Sequence, residues 1–404
     1  MQVAYAMRED VPDNVPEALV RRFDIFTTGA LDGDYQRDLE TLRETMPPLF
    51  WTPCNGGHWV ALNAREVDVI LNDPTRFSNR NLRVPKWANA NPPLKPLQLD
   101  PPDHTKYRAL LMPAMSPKAV TALAVGARRL AIELIDGFKP RGGCEFVSDF
   151  AEHLPIAIFM AMVDLPVADR ERLLAVARGV VRPDTPEQRM ASLVELREYG
   201  MTKLRERRET PGTDLISHLG RATIDGRLLD DDELGGMLTL LLLAGLDTVA
   251  SMLSYFALFL ARHPEHRRQL IAEPALIPNA VEELLRRYGI SVIGREVAAD
   301  IDFAGVRLKE GDMMVTSVSL GNLDPALMPD PLEVDFKRKS PRHVTFGGGP
   351  HRCMGSMLAR AELRIFLEEW LPRIPDFEVD PQAQLETTVG AVATIQRLPL
   401  VWTV

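Results

Sequence analysis

Residues Phe346-Gly347-Gly348-Gly349-Pro350-His351-Arg352-Cys353-Met354-Gly355 deliver one cysteine at the end of a glycine-rich turn, just ahead of helix-forming sequence that begins at Ser356. Glycines let the backbone pass close beneath a flat cofactor, and the N-terminus of the next helix offers N–H groups and a positive dipole that favour a thiolate. The pattern suits an anionic sulfur ligand. Other chemistries stand beside it: a buried small hydrophobe in a turn, a zinc site recruiting His343 and His351 with Cys353, or a cysteine hydrolase with its histidine elsewhere. No second cysteine or histidine pair has zinc-ligand spacing, and no Lys-Ser/Thr follows the last glycine as a phosphate-binding loop requires.

A second group, Ala244-Gly245-Leu246-Asp247-Thr248, lies inside a long apolar segment. Small residues at 244 and 245 permit close approach of a ligand, while the Thr248 hydroxyl can bond back to the carbonyl four residues earlier and bend the helix. An acid beside an alcohol in apolar surroundings is suited to relaying protons; a polar kink satisfied internally is the plainer reading. A third pair, Glu283 and Arg286, shares one helix face at i and i+3.

These groups need rigid elements to hold them. Helical periodicity predicts helices over 119–137, 193–208, 231–262 and 356–371, and shorter strand-like runs occupy 58–62, 295–306, 313–319 and 391–401. Prolines such as those in Asn91-Pro92-Pro93-Leu94-Lys95-Pro96 mark residues 84–103 as a loop able to cover a site. The fold class is therefore mainly α with minor β. No repeat or long linker forces a boundary, so residues 1–404 are expected to form a single domain.

Composition narrows the function. At 46% apolar and 25% charged residues the chain can build a sizeable core. A formal charge of -9 argues against nucleic acid, whose phosphates demand excess cation. The three cysteines, Cys54, Cys144 and Cys353, lie far apart in a pattern that suits a reducing compartment, the cytoplasm. The N-terminus reads as neither signal nor anchor. The stretch 237–260 is long enough to span a bilayer but carries Asp247 near its middle, which favours a buried helix of a soluble protein.

In this order, the cysteine loop, the Asp247-Thr248 helix and Glu-x-x-Arg resemble the cytochrome P-450 superfamily over essentially the whole chain. The camphor-hydroxylase branch is similar through Trp51-Thr52-Pro53-Cys54-Asn55-Gly56-Gly57-His58-Trp59, Asp100-Pro101-Pro102, Ala244-Gly245-Leu246-Asp247-Thr248-Val249 and Leu398-Pro399-Leu400-Val401-Trp402. The resemblance implies the family's triangular prism with a smaller β-rich lobe, and heme b as cofactor with its iron on Cys353. It implies that His104, Arg108, Arg295 and His351 bind the heme propionates, which need cationic or N–H partners once out of water. It also makes Asp247 and Thr248 the catalytic pair, and Arg338 the third member of a network with Glu283 and Arg286.

Leu240, Leu243, Ala244, Val292 and Val392 match pocket-lining positions, and Val181 a further one. Ile293 stands where the camphor enzymes place an aspartate, and Pro92 where they place a substrate-binding tyrosine. Both exchanges remove polarity, so the resemblance implies a terpenoid or norisoprenoid ketone of the ionone kind rather than camphor, with one atom of O2 inserted into one of its C–H bonds. Electrons must come from outside the chain, through a 2Fe-2S ferredoxin and its reductase; the basic residues Lys337, Arg338, Lys339, Arg342, Arg352 and Arg360, with Arg108, would receive it. A heme sensor without oxygenase activity and a peroxide-using enzyme are the alternatives.

Overall fold

The computed structural model describes residues 7–8, 10–26, 34–89, 93–181, 185–245 and 247–404. Local chemistry sets where its helices begin. Ser116 accepts from the Ala119 N–H and Pro117 opens the helix Pro117–Phe138; Thr185 does the same for Pro186–Glu209, accepting from Gln188 N. Asp230 and Glu233 form a reciprocal capping box at the start of Asp231–Ala244. The stripe Val120, Ala127, Ala131, Ile135 and Phe138 turns one face of Pro117–Phe138 inward. There it packs along Ser356–Arg373, and Arg128 bonds Glu368 and Glu369 across the seam.

The segment expected as one helix over 231–262 is two, Asp231–Ala244 and Thr248–Arg262. Gly245 is a poor helix former, and Thr248 Oγ1 donates to Ala244 O at 3.2 Å, taking the carbonyl that a regular helix would give to a backbone N–H. Phe159 presses on the break: a Cβ at Gly245 would lie 2.9 Å from its ring. The two halves also belong to different cores. Leu234, Met237, Leu238, Leu241 and Leu242 pack with the helices Arg170–Val181 and Pro186–Glu209, whereas the residues from Ala250 to Ala261 pack with Ser356–Arg373 and the C-terminal strands. Asp231–Arg262 is long and apolar enough to cross a membrane, and 65% of its most apolar window is buried within the fold.

The largest sheet has five strands, in spatial order Leu49–Thr52, His58–Ala61, Met313–Ser317, Val292–Val297 and Phe77–Ser78. The run 295–306 divides into Val297 ending one strand and a hairpin, Ile301–Phe303 with Val306–Leu308, because Ala304 and Gly305 take positive φ at its tip. The run 313–319 stops at Ser317, whose side chain accepts from Ser319 N and caps the short helix Val318–Asn322. The run 391–401 serves two sheets, Ala393–Arg397 pairing with Glu386–Val389 and Pro399–Val401 with Glu378–Val379 and Gly143–Glu145.

Within Ser356–Arg373, Glu362 is enclosed, and burial pushes its carboxyl up to about 8. A carboxyl raised above its unfolded value of 4.5 holds its proton while the unfolded chain ionises, so its contribution is full below pH 4.5 and lost as pH rises toward 8. Glu362→Gln is expected to match the wild type near pH 4.5 and to exceed it at pH 8 by on the order of 1–4 kcal/mol. Thermal unfolding across that range checks it, and a difference independent of pH would contradict it.

Candidate active site

The cysteine loop is seated on the C-terminal end of the helix Ala64–Asn72. Gly347 and Gly349 take φ of 70° and 56°, the left-handed region that glycine reaches without cost. A Cβ at Gly348 would lie 2.9 Å from Asn72 Oδ1, and one at Gly349 3.0 Å from Leu71 O. Cys353 N donates to Phe346 O at 2.8 Å, closing the turn. Residue Cys353 is exposed, yet the protein around it desolvates its thiol. Desolvation pushes its pKa up, while the Gly355 N–H and the charges of Arg108, Arg360 and Arg352 pull the other way. Cys54 and Cys144 are also unpaired, and burial pushes the Cys144 thiol up beyond any reactive range.

Beside the sulfur, His104, Arg108, Arg295 and His351 converge from three elements. The His104 and His351 rings stand 4.1 Å apart. Arg108 donates from Nη2 to Arg352 O at 2.6 Å, tying the helix Asp103–Leu111 to the cysteine loop. Arg295, buried on the strand Val292–Val297, donates to Gly294 O at 2.8 Å and has no carboxylate partner among the described residues. Burial lowers its pKa to about 10, with Asp100 opposing. His351 is held down to about 3 by desolvation and then by the charges of His104, Arg295 and Arg108. His104 Nδ1 and both His351 nitrogens are buried without hydrogen-bond partners. Buried polar groups are normally satisfied, so this cluster fits a pair of carboxylates brought in by a ligand.

Asp100, which in the sequence is only one residue of the run Asp100-Pro101-Pro102, organises this wall. It accepts from Ser78 Oγ at 2.5 Å and Asn79 N at 2.9 Å, and its field reaches Arg295 and His104. Its partners lie some 20 residues upstream, which no local pattern marks.

The broken helix carries the second group of candidate residues. Asp247 is buried at the cap of Thr248–Arg262, and Thr248 follows it. In a helix otherwise enclosed from Glu233 onward, Leu240 and Leu243 are half-buried and Ala244 is exposed, so this face borders open space. The bridge between Ser291 and Val392, with Val292 N donating to Ala391 O at 3.0 Å, brings half-buried Val292 and Val392 together. Pro92 and the Val181 side chain lie outside the described residues.

Beneath the loop, Glu283 and Arg286 form a fully buried two-bond pair at 2.8 and 2.9 Å. Arg338 Nε donates to Glu283 Oε1 at 3.0 Å, and Arg286 also donates to Pro331 O and Glu333 O. Asn322 then links Arg286 O to Thr345 and to Val344 N, at the threshold of the cysteine turn.

A sequence model of the cytochrome P450 family matches residues 184–399. A probable cytochrome P450 127A1 of Sinorhizobium fredii is 35% identical over 97% of both chains. The chain belongs to the cytochrome P450 family. Mycinamicin IV hydroxylase/epoxidase of Micromonospora griseorubida is 30% identical, covering 89% of this chain and 94% of its own. Among solved structures, CYP101J2 and CYP101C1 each superpose with a TM-score of 0.90 at 38% identity, over 98% of this P450 and 100% of theirs.

This P450 is thus an oxidoreductase of the monooxygenase class with a mainly helical fold, a minor β lobe and heme b as its cofactor. The unsatisfied histidines and unpaired Arg295 beside an accessible cysteine are what a flat dicarboxylate macrocycle requires.

Proposed function

We propose that residues 1–404 form one monooxygenase unit that hydroxylates a small apolar ketone of the terpenoid or norisoprenoid kind, with electrons from a 2Fe-2S ferredoxin and its reductase. Heme b, when bound, supplies the iron at which O2 is activated for insertion into a C–H bond. Cys353 Sγ is its protein ligand, and His104, Arg108, Arg295 and His351 hold its propionates. Asp247 holds a proton at its carboxylate and Thr248 passes it through Oγ1 toward the pocket.

The observation that supports the substrate class is that Leu240, Leu243, Ala244, Val292 and Val392, which form the pocket wall in this reading, are apolar side chains left partly uncovered by the fold. Such a wall binds chiefly by burial, at about 25 cal/mol per Å2 of apolar surface. Ile293 keeps the same region free of the carboxylate that the resemblance would have placed there.

The ferredoxin surface is smaller than the sequence implied. Arg338 belongs to the Glu283 network, Arg360 is paired with Glu282 at 2.6 Å, Lys337 with Glu273 at 3.0 Å, and Arg108 is turned to Arg352 O. Lys339, Arg342 and Arg352 are exposed with no acidic partner among the described residues. These three form the steering patch in this reading.

Turnover of β-ionone with NADH, an acidic ferredoxin and its reductase tests the proposal. The expected product carries one added oxygen atom drawn from O2. Arg352→Glu should raise the KM for ferredoxin roughly fivefold or more at low salt, with a smaller effect at high salt. Failure of ionones and related ketones to turn over would remove the substrate class, and an unmoved KM would remove the patch.

A further inference from the structure

Residues 79–89 and 93–102 touch both elements that carry the proposed pocket positions, and the two attachments differ in kind. At the strand side the contact is backbone on backbone: a Cβ at Gly294 would lie 2.3 Å from Leu82 O. At the helix side Pro93 O sits where a Cβ at Gly236 would be, 2.5 Å away. Gly236 shares its helix face with Leu240, Leu243 and Ala244, one and two turns on. The backbone at Pro93 therefore sits at one end of the face that carries the proposed pocket residues.

Within the loop, Asn79 Nδ2 donates to Leu97 O and Gln98 Nε2 to Arg80 O, each at 3.1 Å, and one charged side chain fastens this end to the helix. Lys95 Nζ donates to Glu233 Oε1 at 3.3 Å and to the Tyr107 hydroxyl at 3.4 Å, and lies 4.8 Å from the centre of the Tyr107 ring. Glu233 does not depend on it. Arg227 grips both carboxylate oxygens at 2.8 and 2.9 Å, Tyr107 OH donates to Oε1, and Asp230 N donates to Oε2 at 2.8 Å. Breaking a buried ion pair is costly because it strands a charge, and here none is stranded. Lys95 can swing to water, where its side chain is already 19% exposed, while Glu233 stays neutralised.

We infer that Lys95 is a releasable clasp, a positioning residue that shuts the loop at residues 93–99 over the pocket and sets the rate at which substrate passes. The inference rests on the reading of Leu240, Leu243 and Ala244 as pocket wall. It does not require the proposed substrate or ferredoxin.

Its test uses heme-loaded enzyme carrying Lys95→Met, which keeps the apolar stem, and Lys95→Arg, which restores the charge. The amides of Gln98 and Leu99, bonded to Leu94 O and Pro96 O, report the clasped end; that of Asn79, bonded to Asp100 Oδ1, reports the fixed end. In Lys95→Met, hydrogen exchange at Gln98 and Leu99 should quicken about tenfold while Asn79 is unchanged. Association and dissociation of 4-phenylimidazole, followed by the heme spectrum, should both accelerate by a similar factor, and Lys95→Arg should restore both readouts. Unchanged exchange would overturn the clasp. Faster exchange without faster 4-phenylimidazole binding would overturn its control of access, and failure of arginine to rescue would overturn the assignment of the clasp to the charge at this position. Each readout is independent of turnover, so failure of the ionone assay leaves them interpretable.

Discussion

Alanine at Glu283 should destabilise the protein by about 3–5 kcal/mol, the cost of stranding one member of a buried ion pair. Arg286 would remain fully enclosed with no carboxylate, still donating to Pro331 O and Glu333 O, and Arg338 and Asp335 N would lose their acceptor. The damage would not stay local, because Asn322 carries the position of Arg286 to Val344 and Thr345 at the base of the cysteine turn. Reduced heme retention should accompany the lower denaturation midpoint. Glu283→Gln should recover little, since it keeps the shape but not the charge. Chemical denaturation of the three proteins settles the matter, and an unchanged midpoint for Glu283→Ala would show that the network is not structural.

Thr248→Ala should keep NADH consumption but divert it into hydrogen peroxide, lowering hydroxylated product by on the order of 10²-fold, the low end of what positioned proton transfer contributes. In this structure the Thr248 hydroxyl proton is on Ala244 O at 3.2 Å, which leaves the lone pairs of Oγ1 facing away from the helix carbonyl. Alanine removes that oxygen and also frees the Ala244 carbonyl, so the break could tighten into regular helix. Thr248→Ser keeps the oxygen and should retain most coupling. Product and peroxide measured per NADH distinguish these outcomes; preserved coupling in the alanine variant would remove Thr248 from proton delivery.

What the sequence disclosed follows the range of the interactions involved. The cysteine turn is coded within ten residues by glycines at positive φ and a following helix, and the Glu283, Arg286 and Arg338 network was legible through the resemblance. The kink at Ala244 was legible too, because Thr248 bonds back by only four positions. Its depth was not: periodicity ran unbroken from 231 to 262, and the division of that stretch between two cores depends on Phe159 and other distant partners.

Charge pairing is hidden in the sequence for the same reason. Arg360 and Lys337 looked free in sequence but meet Glu282 and Glu273, each more than 60 residues away. The hub at Glu233 draws on positions 95, 107 and 227, which only the folded chain unites. The sequence marked the loop 84–103 as a cover through its prolines, and the means of fastening it came from side chains with no local signature.

Oxygen insertion by this P450 requires a heme iron bound through Cys353. Dithionite-reduced protein under carbon monoxide should show the long-wavelength Soret band from which the family takes its name, as anionic sulfur on the iron requires. Folded, heme-loaded protein with its band at the shorter wavelength of neutral ligation would contradict the assignment of Cys353 and the oxygen insertion that depends on it.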